Sequence, residues 1–441
     1  MNRGRVYSWI PDRDRYGTGT VVKEIVLLPR LDPPIDGEAR LEGRFVRVAN
    51  AGAIYEPDPA GGAPLAARLG DARPDAAGDF LFEPGRGGGR IDSVPLADPG
   101  LRWRYAQASH FGEVNSYYHV DLVGAYVDSL LGDLNAPSLP RVGVVVNAHH
   151  AATANDGMRD GVRRTRRWVP FQGGHYRLPG SRRLSSVPPP VVPGQEEPPG
   201  AFRSYGIVEQ DPVHPDGEIH LGPGWKLLRH GALVECAGGA YRANASHNAG
   251  ILYHEYGHHL TRHTADFCAN ALRPPDRQSN LKTALDEGTC DYLAATMMRT
   301  PHIWAFHRRH DDEYMHARSL ASAATMASFD AEPGADQHAN GTIWAAGLWD
   351  LRAQLAGDDP QAARDVDRMV ILGLLLLGRL RGNAEPATTA SLQRARREFA
   401  TALQCLVEAD GALYSGRHHN LVLRLFARRG INVNQVVNTG S

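Results

Sequence analysis

The chain has 441 residues, 42% of them hydrophobic and 22% charged, with a formal net charge of −1. That length allows two or three domains and a large buried core, while the balanced charge gives no reason to expect DNA, RNA or an anionic membrane as partner. Four widely spaced cysteines (Cys236, Cys268, Cys290, Cys405) with no CxxC pair argue against a disulfide scaffold and against a thiolate metal site, though one or two bridges stay open.

In chain order, the N-terminal MNRGRVYSWIPDRDRYG lacks the apolar core of a signal peptide, so the expectation is a cytosolic protein or a secreted one trimmed at its start. Residues 1–100 are rich in Gly, Pro and Asp. Short runs such as VVKEIVLL (22–29) and RFVRVAN (44–50), separated by turn clusters, predict a small β domain. FGEVNSYYHVDLVGAYVDSLLG (111–132) has the first long helical pattern, and PRVGVVVNAHH (140–150) contains a strand. RLSSVPPPVVPGQEEPPG (183–200) is expected to be an extended surface loop, and EIHLGPG (218–224) a strand and turn. From about 245 the pattern is helical almost to the end. Its longest apolar run, MVILGLLLL (369–377), is too short to span a bilayer and predicts a buried helix. The organisation expected is a β-rich segment 1–100, a mixed segment 101–245 and a helical segment 246–441.

The stretch ILYHEYGHHLTRHTADF (251–267) carries an HExxH pattern at His254, Glu255 and His258. On a helix, positions four apart share a face, so both imidazoles are able to meet one ion, and Glu255 projects beside it where a carboxylate takes a proton from water. A metzincin needs glycine and histidine where Thr261 and Thr264 stand, which excludes that subclass. Downstream, TALDEGTCDYLAATMM (283–298) predicts a second helix with Glu287 and Asp291 on one face. This pattern suits Glu287 as third metal ligand, with Asp291 hydrogen-bonded to the second nitrogen of a ligand histidine. Asp286 competes as a ligand but has no carboxylate four residues on, and it is better read as an acidic residue at a helix N-terminus. His259 and His263 are expected to face away from the site.

HEYGHHL followed by DEGTCDYLA resembles the glutamate-zinc (gluzincin) metallopeptidases of the thermolysin and fungalysin type, with fungalysin closer in wording. EVNSYYHVDLVGAYVDSLL (113–131) is similar to the long fungalysin helix with an aromatic pair. VVVNAHH (144–150) resembles the edge strand whose Asn-Ala holds the substrate backbone, and DQHANGTIWAAGLWDLR (336–352) the segment that sets a histidine opposite the zinc. The resemblance runs from about 105 to the C-terminus. It implies an α+β, two-lobed thermolysin-like zinc peptidase, β-rich in its upper lobe and helical in its lower, preceded by the small β domain. It further implies one catalytic Zn²⁺ on His254, His258 and Glu287, Glu255 as general base, His338 as donor to the oxyanion, and Asn147 and Ala148 pairing with substrate.

The activity expected is therefore that of a zinc endopeptidase on peptide or protein substrates. The tyrosine that assists the oxyanion in thermolysin has no counterpart in residues 259–286, and no calcium loop is evident. Two rivals stand beside this expectation. A zinc aminopeptidase or epoxide-hydrolase-type enzyme shares HExxH with a downstream glutamate but keeps that glutamate in a different setting, typically with a GxMEN-type exopeptidase motif, which this chain lacks; a latent or degenerate peptidase-like scaffold would be expected to have lost Glu255 or a ligand, and none is lost. VRRTRRW (162–168) and the histidines of HIWAFHRRHDDEYMH (302–316) read as solvated surface. The first hundred residues fit a propeptide remnant, an accessory domain or part of a precursor equally well.

Overall fold

The computed structural model describes residues 2–11, 19–51, 53–56, 65–84, 93–95, 99–151, 158–159, 162–163, 174–179, 207–209, 214–222, 232–234, 245–267, 283–303, 318–332, 335–357, 359–381 and 392–435. The proline-rich stretch 183–200, most of VRRTRRW, residues 304–316, Cys236 and Cys268 lie outside the described residues. The fold is α+β, and the chain separates into two compact units. The first comprises residues 1–8, 22–121 and 141–252, the second residues 9–21, 122–140 and 253–441.

The strands are β1 (Arg3–Pro11), β2 (Gly19–Leu27), β3 (Val46–Asn50), β4 (Ala53–Glu56), β5 (Leu65–Arg68) and β6 (Ser93–Pro95), then β7 (Val142–Val146), β8 (His149–Ala151), β9 (Met158–Arg159), β10 (Val162–Arg163), β11 (Gly174–Arg177), β12 (Ile207–Glu209), β13 (Glu218–Leu221) and β14 (Ala232–Val234). In the first unit, four of them form a sheet ordered β11-β13-β7-β3. β3 and β13 both run parallel to β7, with Val46 opposite Val142 and Glu218 opposite Gly143. Each residue of VGVVV is buried, the continuous apolar run that a strand flanked on both sides requires. Two expectations change here. RFVRVAN does not stay within a separate β domain of residues 1–100, because β3 is hydrogen-bonded to β7 along its whole length. And VVV is an interior strand rather than an edge: after Val146 the chain turns at Asn147 (φ 57°) into β8, which pairs with β12 alone among the described residues.

Helix α1 spans Pro99–Asp133, starting well before the expected 111. Pro99 suits its first turn, where a missing N–H costs nothing. In the first unit it is buried by Phe111, Val114, Tyr117 and Val120, and also by Glu113, Asn115, Ser116 and His119. The polar ones persist because most are bonded: Asn115 Nδ2 donates to Ser246 O at 2.8 Å and its Oδ1 accepts from Tyr7 N at 2.9 Å.

The second unit is helical. It includes most of α2 (Ala249–Thr264), which begins in the first unit, together with α3 (Ala284–Met298), α4 (Gln337–Ala356), α5 (Pro360–Arg381), α6 (Leu392–Tyr414) and α7 (His419–Arg428). The 3.6-residue period is plain in α5, where Val366, Met369, Val370, Leu374 and Leu377 are buried. Trp344 of α4 joins this core against Phe399 and Phe426, with ring centroids 6.1 and 4.9 Å away. Under α3, Asp367 accepts from Tyr292 Oη at 2.6 Å and pairs with Arg352. Among the described residues no helix is long and apolar enough to cross a membrane.

Candidate metal centre

Helix α2 carries His254, Glu255 and His258, all less than 9% exposed. Its polar side is thus turned inward, which an ordinary surface helix would not do. Gly257 lets α2 close on α3: a Cβ there would lie 2.7 Å from Cys290 Cα. Thr283 caps α3, its hydroxyl accepting from Asp286 N at 3.3 Å. Helix α4 meets α3 backbone to backbone, since a Cβ on Gly341 would stand 2.6 Å from both Ala284 O and Gly288 N. Asp336 caps α4 by accepting from His338 N at 3.0 Å. α2 and α4 each approach α3 closely, at Gly257 and at Gly341.

At the convergence lies Glu287 Oε2. His254 Nε2 is 3.2 Å from it, His258 Nε2 3.6 Å and His338 Nε2 3.0 Å. Donors bound to zinc at about 2.0–2.2 Å in a tetrahedral arrangement stand about 3.4 Å apart, so this spacing fits a zinc ion. The chemistry of the set, neutral imidazoles with one carboxylate, fits as well. Glu255 is 5% exposed, and its Oε2 is a buried oxygen with no hydrogen-bond partner among the described residues.

Each imidazole is fixed from behind. His254 Nδ1–H donates to Asp291 Oδ1 at 2.7 Å, His258 Nδ1–H to Asp286 Oδ2 at 3.1 Å, and His338 Nδ1–H to Asp336 Oδ1 at 2.8 Å. A carboxylate accepts at these positions, so Nδ1 carries a proton; at His254 and His258 the Nε2 lone pair is left to face a metal, while at His338 Nε2 carries a proton in the imidazolium form. Asp291 is buried, which alone would raise its pKa. The Arg318 guanidinium and the bond from His254 more than offset burial and hold it below the usual carboxylate value. Burial likewise opposes a charge on His258, yet Cys290 first and then the carboxylates of Asp286 and Glu287 hold its imidazole well above the usual value. Burial in turn pushes the Cys290 thiol well above its usual value.

Asp286 is more than an acidic residue at a helix start: Thr283 is the cap, and Asp286 Oδ1 also accepts from Thr261 Oγ1 at 2.7 Å. Asp336 and Arg318 did not emerge from the sequence. For Asp336 a signal existed, an aspartate two residues before a histidine at a helix start; for Arg318 there was none. Cys290 Sγ lies 3.3 Å from His258 Nδ1, on the outer side of that ring. With His258 and Asp286 it forms a second group of possible metal donors, so a thiol does take part in such a cluster. Cys290 and Cys405 are free.

Other histidines turn away. His259 donates from Nε2 to Pro140 O at 3.0 Å and packs on His263 at 4.6 Å between centroids. His302 is not surface but 8% exposed, its backbone bridged to Ser319. Asn147 and Ala148 belong to the first unit. Asn147 Nδ2 donates to Asn50 Oδ1 at 3.0 Å and Ser109 Oγ at 2.6 Å, and Ala148 N donates to Leu221 O at 3.0 Å. Behind them Glu113 accepts from Asn50 Nδ2 and from Ala72 N, and burial raises its pKa.

Residues 233–435 match the model of the fungalysin metallopeptidase family (M36). That span, a little under half of the chain, contains all three helices of the centre. No curated protein matches the chain.

Proposed function

Residues 233–435 being those of a fungalysin-like, zinc-dependent metallopeptidase, we propose that the chain is an endopeptidase in which His254, His258 and Glu287 hold the zinc. The observation that carries this is the convergence of the two HExxH imidazoles on one oxygen of Glu287, each with a carboxylate at its back. A zinc ion held there supplies a Lewis acid and brings a water within reach of deprotonation near neutral pH. Glu255 accepts that proton on its unpartnered carboxylate oxygen and returns it to the leaving amine. Asp291 and Asp286 hold the ligand rings in one tautomer. His338, whose ring the carboxylates of Glu287 and Asp336 keep protonated against burial, donates from Nε2 to the oxygen on which negative charge develops.

The peptide is taken up as an added strand. Both amide hydrogens of Asn147 and the N–H of Ala148 are already engaged. Asn147 is therefore left to act through Oδ1, and the edge of β8 that is unpaired among the described residues carries the main-chain bonds. The two-lobed arrangement of such peptidases, β-rich above and helical below, is part of the same proposal.

The test is to incubate the purified chain and its Glu255→Gln variant with unfolded proteins and to sequence the new termini by mass spectrometry. Internal cuts by the wild type, lowered roughly 10²–10⁴-fold in the variant, are expected. Release of N-terminal residues alone would make it an aminopeptidase. No cleavage by a zinc-loaded wild type would favour the latent scaffold.

A further inference from the structure

The backbone on either side of Asn147 is already bonded: Val146 O accepts from Ala51 N at 3.0 Å and Ala148 N donates to Leu221 O at 3.0 Å. Its side chain is buried with both Nδ2 hydrogens donated, while Oδ1 is a buried oxygen with no hydrogen-bond partner among the described residues. An enclosed acceptor without a donor is unfavourable, and the amide would turn over if its neighbours allowed it. They do not allow it. Asn147 Nδ2 donates to Asn50 Oδ1 at 3.0 Å, so Asn50 presents its oxygen to Asn147 and its nitrogen the other way. Asn50 Nδ2 donates in turn to Glu113 Oε1 at 2.7 Å and to Ser109 Oγ at 2.9 Å. Glu113 Oε1 also accepts from His110 Nδ1–H at 2.7 Å, and Glu113 Oε2 from Ala72 N at 2.8 Å. Both lone pairs of Oε1 are thereby used, so this oxygen accepts whether or not the carboxyl carries a proton. Turning Asn147 over would set its Oδ1 against Asn50 Oδ1. Turning Asn50 as well would set an oxygen against Glu113 Oε1. The polarity is fixed at Glu113 and passed along the chain.

We propose that Glu113 and Asn50 are positioning residues for the substrate: they lock the amide of Asn147 so that Oδ1 is held for one peptide N–H of the bound strand. All the residues of this relay belong to the first unit. The inference rests on the endopeptidase reading, in which Asn147 meets the peptide. Under it, the acceptor gains its donor when substrate arrives. The relay also sets a specificity. A main-chain N–H is common to every residue except proline, so the position that faces Asn147 tolerates any side chain but rejects proline or an N-alkylated residue.

The test uses the full-length, zinc-loaded chain and a quenched-fluorescent peptide that copies one internal cut mapped in an unfolded protein. The peptide is also made with a single N-methyl group at each residue around the cut in turn. In Glu113→Gln the new amide oxygen is needed by Ala72 N, so its nitrogen faces Asn50 and both asparagines turn over. Adding Asn50→Asp to Glu113→Gln restores an acceptor toward both neighbours. We expect kcat/KM on the unmodified peptide to fall about tenfold in Glu113→Gln. One N-methylation that costs the wild type about tenfold should cost this variant less than about twofold. The double variant should recover both the rate and the penalty, and Asn50→Ala, which removes the middle link, should lose the same penalty. A merely structural role would lower activity and leave the N-methyl pattern unchanged. The same pattern in wild type, Glu113→Gln and Asn50→Ala would overturn the relay and leave the endopeptidase standing. A wild type that makes no internal cuts would overturn the endopeptidase reading and the relay with it.

Discussion

Two pairs of enclosed histidines in this molecule have opposite proton affinities. His119 and His247, in the first compact unit, accept burial as neutral rings: each bonds through Nε2 to a main-chain oxygen, of Tyr7 at 2.7 Å and of Ala108 at 2.8 Å. With little to offset desolvation, both pKa values fall to about 4. His258 and His338, in the second unit, are also largely enclosed, yet both are raised above the usual imidazole value by the carboxylates beside them, with Cys290 acting on His258 as well. Burial alone does not mark a functional histidine. In these two pairs the packed rings bond to carbonyls and the rings of the metal centre to carboxylates, although His220, buried against Glu218 at 2.7 Å, shows that a carboxylate partner alone does not make a ligand.

The largest effect that would break this contrast is on acid stability. A histidine whose folded pKa lies below its unfolded value of 6.5 contributes stability that is fully present above 6.5 and lost as pH falls from 6.5 through about 4. His119 and His247 should each forfeit on the order of 3 kcal/mol over that window, measurable as falling urea midpoints. Replacing His119 with glutamine should remove part of the slope. A midpoint flat between pH 7 and 4 would refute the carbonyl-bound reading.

On the ligand side, Asp291→Asn should lower zinc affinity about 10–100-fold while leaving the helices intact, because His254 Nδ1–H exchanges a charged acceptor for a neutral amide oxygen; chelator competition reads this directly. The smallest effect sharpens the sign. His258 has a folded pKa above 6.5, so its protonated form stabilises the protein fully below 6.5 and loses that contribution as pH rises through the raised value. Protons therefore compete with zinc unusually early. On acidification, zinc should begin to leave at a pH above 6.5, by up to about tenfold in affinity per pH unit. Release only below 6.5 would mean that the carboxylates do not act on this ring.

How much of this was legible in the sequence follows the reach of each interaction. His254, Glu255 and His258 lie within one helical turn, and Glu287 and Asp291 within another, so local spacing placed each group on a single face. The apolar period of α5 and α6 was visible for the same reason. Contacts between distant segments were not. β3 joins a sheet with β7, almost a hundred residues later, and nothing in RFVRVAN encodes a partner. VVVNA read as an edge strand, although three consecutive buried valines already suggested a flanked one. Asp286 looked like a helix-start residue because its role depends on His258 and Thr261, on another helix. Arg318 reaches Asp291 from a segment with no pattern of its own. The approach of α4 to α3 depends on two glycines, Gly288 and Gly341, whose meaning emerges only when they face each other.

The most direct test of the whole account is the zinc content of the purified chain and of Glu287→Ala, by elemental analysis after dialysis against trace zinc. One zinc per wild-type chain and none held by the variant is the result expected, since Glu287 Oε2 is the atom on which all three imidazoles converge. A wild type without zinc, or a variant that keeps it, would contradict the assignment of this centre.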